Sequence, residues 1–233
     1  MKCLLILCAL LVPALAHSQQ TTWRFDSLTS IGGLPATVVG SPKVVSTDIG
    51  KAVHFTGVAD AAGVATTGDA LFVDNLPLAG ARTYTLEVVF RPSSGGSVAQ
   101  RFFHLQENAS QSRRMFELRI HDKQWCLDTV AFNYPAGEPV RSGVMLNCDA
   151  QHLFPVDRWY AIAAVYDGKM LRGYVNGVLQ GEVAVSLLPL GPGRTSVGTR
   201  IDKRNFFTGD VFEARFTAKA LAPAEFLKVP SKP

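Results

Sequence analysis

YDGKMLRGYVNGVLQGEV, residues Tyr166 to Val183, contains two turn signals nine positions apart. Asp167-Gly168 and Asn176-Gly177 can adopt the positive φ values that tight primed β-hairpins require. Apolar and polar residues alternate between the turns with a period of two, which places successive side chains on opposite faces of a strand. The segment therefore predicts three consecutive antiparallel strands, with Arg172 and Gln180 facing solvent.

The N-terminal segment, MKCLLILCALLVPALA, has the layout of a secretory signal peptide. Lys2 precedes an apolar run from Cys3 to Leu11, and the small residue Ala16 marks the expected cleavage site. The run is short for a membrane span, although an uncleaved anchor is the alternative. We therefore expect removal of residues 1–16 and a secreted, periplasmic or extracellular product without a membrane span.

The composition after that segment favours a single globular domain over residues 17–233. Hydrophobic residues make up 47% of the whole chain, which is enough for a substantial core. The formal net charge of the whole chain is only +4. Nucleic-acid binding usually shows a clustered basic stripe, so no nucleic-acid partner is expected.

Two cysteines, Cys126 and Cys148, remain once the signal segment is removed. An even pair in an exported chain predicts a disulfide. A zinc site would need further ligands at suitable spacing, and the nearby His121 and His152 do not form a recognised finger pattern.

Period-two alternation dominates the chain from Lys51 onward. The predicted strands are KAVHFTGV, TYTLEVVF, RMFELRIH, QWCLDTVAF, WYAIAAVY, MLRGYV and VLQGEVAV. The short Pro- and Gly-rich connections leave no room for crossover helices, so the sheets should be antiparallel. One short C-terminal helix is predicted near ALAPAEFLK, where Pro223 suits the first helical turn. This pattern indicates an all-β sandwich or jelly roll.

The longer segment WYAIAAVYDGKMLRGYVNGVLQGEVAV resembles the central meander of LamG-like jelly-roll domains, in the concanavalin A-like lectin/glucanase superfamily. GKAVHFTG, TYTLEVVFRP and FTGDVFEARFTAKALAPAEF are similar to the early strand, the next inner strand, and the closing strand with its helix. The resemblance covers most of Gly50 to Phe226 and implies a concanavalin A-like jelly roll with its core at about residues 50–226. It also implies binding of glycans, proteins or calcium, or glycanase activity.

Two departures from the family pattern bear on calcium. Thr56 and Phe212 stand where the family often has Asp, although Asp210 and Glu213 remain nearby as calcium candidates. Calcium takes several carboxylate or carbonyl oxygens. The departures therefore disfavour a family-type calcium site, and no cofactor is expected.

A glycanase needs two carboxylates on either side of the scissile bond. The Glu-x-Asp-x-x-Glu run that glucanases of this superfamily carry is absent. The nearest pairs are Glu117 with Asp122 and Asp210 with Glu213. Both have odd spacings, so an unbroken strand would place the two groups on opposite faces, unless a bulge intervenes.

A serine hydrolase is not indicated either, because no Gly-x-Ser-x-Gly elbow is present. His54 and His104 lie in strand-like apolar segments, where hydrogen-bonded structural roles are expected.

Aromatic residues are candidates for stacking against sugars. Trp125 adjoins the predicted disulfide and either covers it or contacts a ligand. Trp159 begins a strand of mainly apolar residues, which favours core packing.

Basic residues form two groups that could recognise sulfate or carboxylate groups of a polysaccharide, because guanidinium binds such groups bidentately. The candidate residues are Arg113, Arg114, Arg200, Lys203 and Arg204. Solvated loops are the alternative. Asn108-Ala109-Ser110 is an N-glycosylation pattern that is available only in a eukaryotic secretory pathway.

The sequence therefore predicts a secreted, non-catalytic binding module for carbohydrate or another extracellular ligand. The alternatives are a glycoside hydrolase or polysaccharide lyase, and a structural or self-assembling exported domain.

Overall fold

The computed structural model describes residues 20–108, 110–134, 142–149 and 151–231. The predicted signal segment lies outside the described residues.

The described residues form nineteen strands. The first ten are β1 (Gln20–Arg24), β2 (Ser30–Ile31), β3 (Leu34–Val39), β4 (Lys43–Thr47), β5 (Gly50–Phe55), β6 (Gly57–Ala59), β7 (Ala65–Gly68), β8 (Ala70–Val73), β9 (Tyr84–Pro92) and β10 (Ala99–Glu107). The others are β11 (Arg113–His121), β12 (Gln124–Asn133), β13 (Ser142–Leu146), β14 (Phe154–Pro155), β15 (Tyr160–Tyr166), β16 (Met170–Val175), β17 (Val178–Ala184), β18 (Gly193–Val197) and β19 (Gly209–Thr217).

These strands build two large antiparallel sheets and one small hairpin, β6–β7. Sheet I has eight strands in the order β17-β16-β15-β9-β19-β5-β4, with β1 paired to β19. Sheet II has nine strands in the order β13-β12-β11-β10-β18-β8-β3-β2, with β14 paired to β12. The predicted all-β antiparallel sandwich is confirmed. The predicted C-terminal helix is a single 3₁₀ turn at Pro223–Glu225.

The segment Tyr166–Val183 forms the predicted meander β15-β16-β17. Asn176 and Gly177 have φ values of 48° and 79°, as a primed hairpin turn requires. The first turn differs from the expectation, since Gly168 has a positive φ and Asp167 does not. Asp167 closes that turn with its side chain, which accepts the backbone N–H groups of Lys169 and Met170.

The two sheets bury one apolar core between them. Phe90 of sheet I stacks on Phe102 of sheet II with ring centroids 4.5 Å apart. The core also contains Trp23 and Phe25, both fully buried, so it extends N-terminal to the expected span of residues 50–226. Pairing of β1 with β19 brings Trp23 there. No helix among the described residues is long and apolar enough to cross a membrane.

A cationic face of sheet II as the candidate functional site

The outward face of sheet II carries a row of charged side chains on β11. Phe116 and Leu118 point into the core. Because side chains alternate along a strand, Arg113, Glu117 and Arg119 point outward. The sequence therefore places adjacent residues Arg113 and Arg114 on opposite faces.

Strand β10 adds two more outward residues through a local irregularity. The register shifts between Arg101 and Phe103, and both Phe102 and Phe103 lie in the core. This bulge turns Arg101 and His104 to the same outward face. Strand alternation alone would not place them together.

His104 connects this face to the loop that follows β18. Its imidazole is only 1% exposed, and Nδ1 accepts the backbone N–H of Ile201 at 3.1 Å. Burial holds the pKa of His104 well below its usual value, and the charges of Arg200 and Arg113 lower it further. A neutral imidazole thus fixes the loop that carries Arg200, consistent with the structural role expected for His104.

Arg200 lies close to the two outward arginines of β10 and β11. Burial lowers the pKa of its guanidinium, and the negative charge of Asp202 raises it. The positive charges of Arg113 and Arg101 lower it further. The Nε atom of Arg200 is 3.3 Å from the Asp202 carboxylate. Three guanidinium groups therefore lie on one face, with Arg101 opposite Glu117 and Arg113 opposite Gln106 along the β10–β11 pair.

Apolar and aromatic groups adjoin the arginines. The Arg113 guanidinium lies 5.0 Å from the ring centre of Phe132 and 5.1 Å from that of Tyr134. Tyr134 is partly exposed and packs with Met115 in a small apolar cluster outside the main core. The site therefore combines cations with an aromatic surface.

The remaining predicted binding residues are distributed differently. Arg114 is 3% exposed and lies on the inward face of sheet II, where it donates to the carbonyl oxygens of Phe132 and Leu188. Lys203 lies above the same outward face as Arg113, 5.9 Å from the Phe72 ring. Arg204 is exposed and pairs with Asp202 at 2.8 Å.

Trp125 lies in the core rather than on a ligand-accessible surface. It is fully buried and contacts Phe90 and Tyr160 at centroid distances of 5.1 and 5.0 Å. Its position follows from alternation, because Leu127 on the same strand also points inward.

The two carboxylate pairs singled out in the sequence have different geometries. Asp122 lies in the β11–β12 turn with a φ of 57°, away from the strand position of Glu117. Glu117 lies opposite Asp128 of β12 instead. Arg101 Nε is 3.1 Å from Glu117, and Arg119 donates to Asp128 at 2.8 Å.

Asp210 and Glu213 share the outward face of sheet I because β19 has a bulge. In the register of β19 with β9, Asp210 lies opposite Arg91 and Glu213 lies opposite Val89. Phe212 is therefore the extra residue of the bulge. Arg91 and His54 contact the two oxygens of Asp210 at 2.8 and 2.9 Å.

The two calcium candidates, Asp210 and Glu213, both have cationic partners. The hydrogen bonds from His54 and Arg91 outweigh burial and lower the pKa of Asp210. Glu213 lies 3.1 Å from Arg24, and burial raises its pKa. A calcium ion would have to displace these cationic partners.

The predicted disulfide between Cys126 and Cys148 is confirmed, with Cα atoms 5.3 Å apart. His121 Nε2 is 3.7 Å from the Cys148 sulfur. Within the described ranges, these residues form the one group of three potential metal-ligand side chains, with ligand atoms within 4.8 Å of one another. The disulfide removes both sulfurs as thiolate ligands, since thiolate is the metal-binding form.

The similarity of this chain to known proteins agrees with this fold. A family model described as the concanavalin A-like lectin/glucanases superfamily matches residues 63–226. No curated protein matched the chain in sequence.

Solved structures with this fold include domain 4 of AbnA, a GH43 extracellular arabinanase from Geobacillus stearothermophilus, in complex with arabinotriose. It is 16% identical with a TM-score of 0.60, and the match covers 89% of this chain and 96% of that one.

Two botulinum neurotoxin structures are also similar. The binding domain of neurotoxin DC, in complex with rat synaptotagmin II, is 11% identical with a TM-score of 0.58. A structure of botulinum neurotoxin type C, whose cell entry depends on interaction with two ganglioside molecules, is 10% identical with a TM-score of 0.57. Each match covers 88% of this chain and 49% of the toxin chain, so this chain spans about half of either.

Proposed function

Because the chain belongs to the concanavalin A-like lectin/glucanases superfamily, we propose that it is an exported, non-catalytic module that binds acidic carbohydrate. The binding surface is the outward face of sheet II around Arg101, Arg113 and Arg200. The arabinotriose complex and the ganglioside-dependent toxin support carbohydrate as the ligand class.

The observation that carries the proposal is the presence of three guanidinium groups, those of Arg101, Arg113 and Arg200, on one face. Burial is the main cause of the lowered pKa of Arg200, and repulsion from the charges of Arg113 and Arg101 lowers it further. A bound sulfate or carboxylate would relieve that repulsion and accept paired N–H bonds from a planar guanidinium. Tyr134 offers an adjacent ring for the apolar face of a sugar.

Charge pairing on the same face supports the non-catalytic part of the proposal. A general acid must be free to give its proton to the glycosidic oxygen. On this face Arg101 lies 3.1 Å from Glu117 and Arg119 lies 2.8 Å from Asp128, so both carboxylates are held in ion pairs.

Glycoside hydrolysis is the second candidate, because Glu117 and Asp128 lie directly across from each other. Directly opposed Cβ atoms in an antiparallel pair are about 4.5–5.5 Å apart, which suits a pair of catalytic carboxylates. Asp128 is fully buried, however, and its two oxygens accept Arg119 and the Cys148 N–H, so it would have to become exposed to reach a glycosidic bond. Release of reducing ends from a polysaccharide, abolished by both Glu117→Gln and Asp128→Asn, would establish this function instead.

Affinity electrophoresis tests the ligand class. We expect heparin or polygalacturonate in the gel to retard the protein, and neutral arabinan or dextran to leave its mobility unchanged. Retardation should weaken as salt rises, because dissolved ions screen the attraction between the guanidinium groups and the anionic polymer. Equal retardation by neutral and acidic polymers would contradict the proposal.

Charge-matched variants test the location. The Arg200→Gln variant loses one charge-assisted contact worth about 1.5–3 kcal/mol, so it should bind about 10- to 150-fold more weakly. Arg82→Gln removes the same charge from an exposed loop outside the candidate face and should bind as the parent does. Similar losses in both variants would indicate attraction by net charge rather than a site.

Export is tested separately. N-terminal sequencing of protein recovered outside the cytoplasm should begin after Ala16, and an intact N-terminus would contradict cleavage there.

A further inference from the structure

A cavity of about 340 Å³ lies on the outward side of sheet I. Trp159 and Ala161 line one part, and the Asn176-Gly177 turn lines another. Residues 226–229 of the C-terminal segment complete it. This volume is at the small end of the range for ligand pockets, about 300–1,000 Å³.

Contacts to the sheet hold the C-terminal wall. The backbone N–H of Leu227 donates to Glu87 Oε1 at 2.6 Å. Arg215 pairs with the other oxygen of that buried carboxylate at 2.6 Å and donates to the carbonyl of Glu225. The wall is thus attached to a buried ion pair rather than resting on solvent-exposed contacts.

The opposite wall presents a fixed amide. Asn176 Oδ1 accepts the backbone N–H of Ala161 at 3.0 Å, and the Asn176 N–H donates to the Ala161 carbonyl. These bonds orient the carboxamide, whose Nδ2 group donates to no described residue. A preorganised donor therefore lines the cavity.

Trp159 supplies an aromatic surface that is itself held in place. Its indole N–H donates to Asp48 at 2.9 Å, and the Arg91 guanidinium lies 4.9 Å from the ring centre. The sequence favoured core packing for Trp159, but the structure leaves it partly exposed, outside the main core cluster.

We propose that this cavity is a second carbohydrate-binding site that takes a single hexuronate residue. The indole and the apolar wall suit the apolar face of a pyranose, and Asn176 Nδ2 suits a hydroxyl or carboxylate oxygen. Lys228 lines the cavity as well, and no described carboxylate forms an ion pair with it. Its ammonium group favours the acidic sugar over a neutral one. The site lies on the other sheet from the cationic face and does not depend on it.

Tryptophan fluorescence can report on this cavity selectively. The chain has three tryptophans, and Trp23 and Trp125 are fully buried, so acrylamide should quench Trp159 in preference to the others. We expect methyl β-D-glucuronide to protect Trp159 from acrylamide in a saturable way. Methyl β-D-glucoside should protect at concentrations about tenfold higher, the factor expected from losing about 1.4 kcal/mol.

Two conservative variants identify the donors. Asn176→Asp keeps a residue that tolerates positive φ and keeps the Oδ1 acceptor, but it replaces the Nδ2 donor with an oxygen. Asn176→Asp and Lys228→Gln should each weaken glucuronide binding about tenfold or more. Lys169→Gln, an exposed change in the other hairpin turn, should have no effect.

Three outcomes would overturn the proposal: no protection by glucuronide, equal protection by the neutral glucoside, or parent-like binding by Asn176→Asp. Arg200→Gln should retain glucuronide protection, and Asn176→Asp should retain retardation by heparin. The two sites can therefore fail independently.

Discussion

The Cys126–Cys148 cross-link allows a quantitative prediction about stability. It joins residues separated by 22 positions. In the chain-entropy model, closing a loop of that length in the unfolded chain stabilises the native state by about 3 kcal/mol. Replacing both cysteines with Ala should lower the free energy of unfolding by about that amount, and the melting temperature by about 6–12 °C.

Equilibrium urea unfolding of the parent and the Cys126→Ala/Cys148→Ala variant measures the difference. Cys126 is fully buried, so truncation also removes core volume. Parent protein reduced under native conditions is the control, because it lacks the cross-link but keeps both sulfur atoms. We expect the reduced parent to lose most of the same stability. A loss below about 1 kcal/mol in the variant, or mass mapping that finds free thiols in exported protein, would refute the loop-closure reasoning.

Two further predictions concern the first hairpin turn and calcium. Backbone N–H bonds, above all from Met170, and the bond from Arg172 lower the pKa of Asp167 from 3.8 to about 2. Its ionised form therefore contributes stability above pH 3.8 that is lost as the pH falls towards 2. The Asp167→Asn variant should flatten this part of the curve of unfolding free energy against pH. A variant curve with the same slope as that of the parent would contradict the assignment. A chelator should leave the melting temperature of the parent unchanged, because Arg91 and His54 already occupy the oxygens of Asp210, whereas a clear drop would reveal bound calcium.

The alternation of apolar and polar residues predicts most of the central fold from the sequence. The strands around the Tyr166–Val183 meander have regular period-two patterns and tight Gly-containing turns, so local residues determine them. Strand β10 was not predicted, because its bulge between Arg101 and Phe103 interrupts that period. The first hairpin turn shows a related effect, since side-chain bonds from Asp167 replace the expected positive φ.

The candidate site was predictable only in part. Arg113 and Arg200 were identified as binding residues, but their proximity depends on β10 lying between β11 and β18. Such pairing joins distant parts of the chain, and no local pattern encodes it. The same alternation could have assigned Arg114 and Trp125 to the interior, because each shares its face with inward-pointing apolar neighbours.

The bulge at Phe212 shows how local geometry changes a chemical inference. Odd spacing predicted opposite faces for Asp210 and Glu213, whereas the extra residue brings them to one face. Their arginine and histidine partners then favour ion pairing over metal binding. The partners come from other strands, so the sequence spacing alone carried no sign of them.

A double-mutant cycle on Arg113 and Arg200 tests most directly whether the outward face of sheet II forms one binding site. Calorimetry would measure binding of a heparin-derived oligosaccharide to the parent, Arg113→Gln, Arg200→Gln and the double variant. If both guanidiniums contact one anionic ligand, the second substitution should cost less than the first, with a coupling energy of about 1 kcal/mol or more. Losses that add to within about 0.5 kcal/mol, or parent-like binding by the double variant, would contradict a shared site.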